Sequence, residues 1–142
     1  MDDEAALLRA HRAFYAAFEA LDLDAMSRVW ARRATDTCIH PGWEILSGWH
    51  EIRESWRVIF ANTGFMRFEA TDLAVDVVSD TGRITCVENI FSVIEGHTIH
   101  SRVATTNLFV RTGEGWRLVL HHGSPIASSQ TVVSVDEGEE PN

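Results

Sequence analysis

The sequence predicts an α+β domain in which helices come first and strands last. Two observations predict it. Up to about residue 60 apolar residues recur every three or four positions, the period of a helix face, and from Met66 onward they recur every second position, the period of a strand. In addition, Asp80-Thr81-Gly82, Gly96-His97 and Gly113-Glu114 punctuate the second region, so its strands follow one another directly and pair as an antiparallel meander.

Leu7, His11, Phe14, Phe18 and Leu21 form the buried stripe of a first helix, bordered by Tyr15. Asp22 and Asp24 supply cap chemistry for a short second helix with Met26, Val29 and Trp30 on its apolar side. Thr35 to His40 alternates as a short strand that stops at Pro41-Gly42. Ser47 can cap a third helix carrying Trp49, Ile52, Trp56, Ile59 and Phe60 on one face, and Asn62-Thr63-Gly64 ends it. Strands are expected over 66–78, 83–95, 98–111 and 115–127, with a bulge where the apolar phase slips between Ala70 and Leu73.

The 142 residues suit one domain, read here as residues 1–127, followed by an acidic, disordered tail over 128–142 that holds Asp136, Glu137, Glu139 and Glu140. A net charge of −9 excludes the basic stripe that nucleic-acid binding needs. With no apolar run of about 18 residues and an acidic N-terminus, neither a membrane span nor export is indicated, and the cytoplasm is the expected location. Cys38 and Cys86 have no metal or redox spacing and read as buried thiols.

The turns set a register. With Gly96-His97 as a hairpin loop, Glu88 stands opposite Thr105 and Cys86 opposite Asn107; with Gly113-Glu114 as the next, Thr105 stands opposite His122. Strict alternation sends Trp116, Leu118, Leu120, His122 and Ser124 to one face. That face then grades from an apolar row (Ile84, Phe109, Leu118) to a polar one (Glu88, Thr105, His122), as a ligand cavity with a few convergent polar groups would. The other face, with Val87, Phe91, Val93, Leu108 and Val110, is too apolar for water alone and reads as a homodimer interface.

This order of elements, with its Asp-Leu-Asp turn and a last strand reading Trp116-Arg-Leu-Val-x-x-His122-x-Ser124, resembles the nuclear transport factor two-like superfamily. Within it the chain is most similar to SnoaL-like and ketosteroid-isomerase-like bacterial proteins, and its last strand resembles that of the calcium/calmodulin-dependent kinase association domain. The resemblance implies a conical fold, with three N-terminal helices packed in a curved, mainly antiparallel sheet, a pocket inside the cone and dimers formed through the sheet. It also implies where isomerase groups would fall: Cys38 at the base position with His40 the nearest proton acceptor, Phe14 at the tyrosine position with Tyr15 adjacent, and Asn107 at that of a protonated aspartate. These are not the isomerase's own residues, so that enzyme's mechanism is not carried over.

The expected function is that of a small-molecule-binding SnoaL-like protein for an apolar metabolite with a polar end. If it is an enzyme, its chemistry is cofactor-free proton transfer of the isomerase or dehydratase type, with His40, Glu88 and His122 catalytic and Asn107 a hydrogen-bond donor. Tyr15, Trp30, Cys38, Trp43, Trp56, Thr105 and Asn107 would bind the ligand. No metal is expected, because a set of His40, Glu88 and His122, or one with Cys38 in place of the glutamate, lacks motif spacing. The other class left open is a non-catalytic oligomerisation module similar to the kinase association domain.

Overall fold

The computed structural model describes residues 2–127 and 131–134. Helix α1 (Asp3–Ala20) is capped by Asp2, whose carboxylate accepts from the N–H groups of Glu4 and Ala5, and it ends at Leu21 in a left-handed conformation. Helix α2 (Leu23–Val29) begins at Asp22, which accepts from Ala25 N–H at 3.0 Å as its cap chemistry predicts. Strand β1 (Thr37–Ile39) is shorter than the alternation suggested, and a two-residue strand β2 (Leu46–Ser47) pairs with it. Ser47 therefore does not cap α3 (Trp49–Ala61): the cap position is Gly48, and Glu51 in the first turn accepts instead from the Ser47 backbone N–H. The meander is β3 (Met66–Val78), β4 (Thr81–Ile94), β5 (His97–Thr112) and β6 (Gly115–Pro125).

These strands form one curved sheet in the order β2-β1-β6-β5-β4-β3, with β1 parallel to β6 and all other neighbours antiparallel. A further strand, β7 (Thr131–Ser134), lies inside the segment read as a disordered tail and pairs with the start of β5. The acidic residues of that segment lie outside the described residues. The helices pack on the concave side, where Leu7, Phe14 and Phe18 of α1, Ile52 and Trp56 of α3 and Ile84, Phe109 and Leu118 of the sheet make one core.

Of three details of register, one agrees with the sequence reading and two depart from it. In β3 the bulge is where the phase slip put it, with Asp72 at φ 57 between Thr71 and Ala74. The β4–β5 loop is Glu95-Gly96, both at positive φ, as a type I′ turn requires, rather than Gly96-His97. Glu88 consequently faces Val103, Cys86 faces Thr105 and Ile84 faces Asn107; the slip is by two residues, so every side chain keeps its face. In β6 the outcome is different. Phe109 pairs with Leu118 but Leu108 pairs with Leu120, which leaves Val119 as an extra residue. Beyond this bulge the faces exchange: His121 is buried and His122 is exposed, so the expected row of Glu88, Thr105 and His122 does not form.

Candidate functional site

A chain of buried polar side chains runs through the cone. Tyr15, on α1, donates its hydroxyl to Glu88 Oε2 on β4 at 2.6 Å. Asn107 on β5 uses one amide hydrogen on Tyr15 Oη at 3.1 Å and the other on His11 Nε2 at 3.0 Å. Its carbonyl oxygen faces His121 Nδ1 on β6 at 2.7 Å. Because an amide nitrogen only donates and an amide oxygen only accepts, the tautomers follow: His11 carries its proton on Nδ1, and His121 donates from Nδ1. Glu88, 2% exposed, is thus linked to two imidazoles through one phenol and one amide.

A second group lies where β1 gives way to the turn at Pro41-Gly42. His40 Nε2 is 2.9 Å from Ser55 Oγ on α3, and Ser55 donates its only hydroxyl hydrogen to Ile52 O at 2.6 Å, so His40 donates from Nε2 and keeps Nδ1 as an acceptor. Cys38 Sγ lies 3.6 Å from the same ring. Trp56 meets the ring edge-on at 4.7 Å and Trp43 does so from outside, itself 43% exposed. His121 joins the two groups, with ring centroids 6.3 Å from His40 and 6.0 Å from Trp56.

Burial dominates the electrostatics. It pushes the Glu88 carboxyl up to about 7, against the pull of its hydrogen bonds with Tyr15 and Thr105. Burial and the neighbouring Glu88 charge hold the Tyr15 phenol well above its ordinary range. His11 and His40 are lowered to about 4 by burial, His11 with a smaller push from Arg12. His121 is held well below its ordinary value, by burial first and then by the other histidines. Near neutral pH the polar groups inside the cone therefore comprise three uncharged imidazoles and the Glu88 carboxyl, balanced between its two forms.

Of the residues expected to form the site, Tyr15, Glu88, Thr105 and Asn107 come together, as do Cys38, His40, Trp43 and Trp56. Trp30 stands apart, packed against Trp49 and bridged to Leu118. His122 is on the outer face, so no Glu88–His122 couple exists; Tyr15 is the partner of Glu88. Sequence reasoning missed His11, Ser55 and His121 as site residues. His11 was visible as the one polar member of an apolar stripe, and Ser55 as the inward position between Ile52 and Trp56 at helical spacing. His121 is concealed by the bulge. Among the described residues no group of three or more His, Cys, Asp or Glu is arranged to hold a metal ion, and no helix is long and apolar enough to cross a membrane.

An antiparallel meander wrapped around three helices, with polar groups gathered on its concave side, defines the cone of the nuclear transport factor 2-like fold. The SnoaL-like domain family matches residues 7–128, and the chain belongs to it. A structure provisionally named a dehydratase of the same fold family, from Streptomyces avermitilis, is 36% identical, with 89% of this chain and 97% of that one covered at a TM-score of 0.84. Another, provisionally named a calcium/calmodulin-dependent protein kinase type II association domain, from Thiobacillus denitrificans, is 35% identical, covering 82% and 92% at 0.71. F-box protein SKIP8 of Arabidopsis thaliana is 25% identical over 119 residues, 84% of this chain; the chain spans about half (49%) of that protein's length.

Proposed function

We propose that the protein binds an apolar small molecule with a carbonyl end and moves a proton on it without a cofactor, as an isomerase or dehydratase does. The observation that carries this is the buried Glu88, hydrogen-bonded to Tyr15 and poised near neutral pH. A base is most effective when its pKa lies near the working pH, which moves that role from His40, lowered to about 4, to Glu88. A groove of about 410 Å³ beside α1 and β3 is lined by His11, Tyr15, Phe68, Ala70 and Leu73, and so reaches the hydrogen-bond partner of Glu88. Ala70 is the ladder partner of Glu88, and its short side chain leaves room there. Ionised Glu88 takes the proton from the carbon next to the carbonyl, the C–H electron pair becomes the double bond of the enolate, and the proton returns at another carbon or leaves with a β-hydroxyl as water. The dehydratase name of the Streptomyces structure supports this reading.

The test is deuterium exchange at the α-carbon of β-tetralone, followed by NMR in heavy water. Exchange should exceed the buffer rate, increase through pH 7 and fall at least a hundredfold in Glu88→Gln. An exchange rate that Glu88→Gln leaves unchanged overturns the assignment. The rings that fill the cone, with Phe18 4.2 Å from Phe68 and 4.8 Å from Trp56, favour a second reading, an association module dimerising through the outer sheet face. That reading requires a dimer in sedimentation and monomers after Phe91→Glu with Leu108→Glu.

A further inference from the structure

We propose that the groove between α1, α2 and the start of β6 binds a small monocarboxylate with an apolar body. Its walls belong to residues other than the Glu88–Tyr15 chain, so it does not depend on the reading above. Ala10, Ala13, Ala17 and Ala20 of α1 recur every three or four positions and floor it, and Val29 of α2 faces them across about 360 Å³, a volume suited to a small ligand. It forms because β1 reaches β6 only at Leu120–His122, so α2 rather than a strand flanks the segment around Trp116 and Arg117.

An apolar floor alone would define no ligand. The charge does: Arg28 and Arg117 both line the groove, in a chain of net charge −9. Arg117 donates from Nη1 to Trp116 O at 3.1 Å and has Nη2 3.8 Å from Glu114. Independently, Trp116, 5% exposed, lines the groove with no acceptor for its indole Nε1–H, and neighbouring Arg117 has none for Nε–H. A buried donor without a partner is costly and marks a place where an acceptor is wanting. The Trp116 donor and the Arg28 and Arg117 side chains, brought into the lining of one groove, ask for an anion that accepts several hydrogen bonds at once. The alanine floor asks for hydrocarbon behind it. A carboxylate on a short alkyl or flat ring body meets both demands.

The test uses octanoate and the full chain, with ¹⁵N-indole NMR and the Trp116 signal assigned through Trp116→Phe. Octanoate should shift that signal saturably, and octanol, which keeps the tail and loses the charge, should bind at least tenfold more weakly. Arg28→Gln, at an exposed position that leaves folding alone, should weaken octanoate about tenfold, the loss of one charge-assisted hydrogen bond. Ala13→Leu, which fills the groove and keeps the arginines, should abolish binding. An unmoved Trp116 signal, octanol binding as tightly as octanoate, or unchanged affinity in Ala13→Leu would each overturn the proposal.

Discussion

His121 and His122 have the same side chain and differ in almost everything else. His121 lies within the core and supplies the proton that Asn107 Oδ1 accepts, whereas His122 stands in water on the outer face. Removing the first leaves a buried acceptor unpaired as well as a void, so His121→Ala should cost about 2–4 kcal/mol. His122→Ala should stay within about 0.5 kcal/mol, the usual range for a surface change. Urea unfolding of the two variants measures the difference, and equal losses would contradict the placement. The same contrast shows what makes Asn107 central. Its amide spends both hydrogens and its oxygen on three partners from two elements, α1 and β6, so each partner's orientation is fixed by the others.

At the scale of the element, the decisive feature is the single extra residue in β6. Deleting Val119 should remove the bulge and leave Leu118 inward, Leu120 outward and His121 inward, since the ladder on either side already has those faces. Its lost apolar side chain should lower the melting temperature, yet the His121 ring should still resist protonation in an NMR titration. A His121 that titrates like a surface histidine would show that the bulge does more than absorb a residue. The element scale is also where the sequence was most and least legible. Helix stripes, the Asp22 cap, the meander and the β3 phase slip are local signals, and each is written in adjacent residues. The Glu95-Gly96 loop was misplaced by one position because Gly-His and Glu-Gly both offer a glycine, but that slip moved pairings by two and preserved the faces. The Val119 bulge left no mark: Leu118, Val119 and Leu120 continue as apolar residues through it, so periodicity could not reveal that the inward and outward series change places. One hidden residue exchanged His122 for His121, while Glu88, Tyr15 and Asn107, which lie before it, remained readable.

For the whole molecule, the buried ionisable groups set how stability follows pH. His11 and His40 titrate near 4 when folded and near 6.5 when free, and His121 is shifted the same way, so the unfolded chain holds more protons between those values and stability increases with pH there. Glu88 acts oppositely: at about 7 folded against 4.5 free, it makes the folded state the better proton holder in that window and stability falls as pH increases. Three imidazoles outweigh one carboxyl group. Melting temperature should climb from pH 4.5 to 6.5, at most by about 3 kcal/mol of stability per pH unit, then decline slightly towards 7.5. Glu88→Gln should steepen the climb and remove the decline, and a flat profile in calorimetry would contradict the three uncharged imidazoles. The same interior bears on synthesis. Tyr15 and His11 leave the ribosome before their partners Glu88 and Asn107, which follow 73 and 96 residues later. At ordinary elongation rates the first helix waits roughly 5–20 s with its polar groups unmatched and its aromatic stripe uncovered. Its amphipathic surface is then what a chaperone at the ribosome would hold, and the cone can close only when β6 arrives.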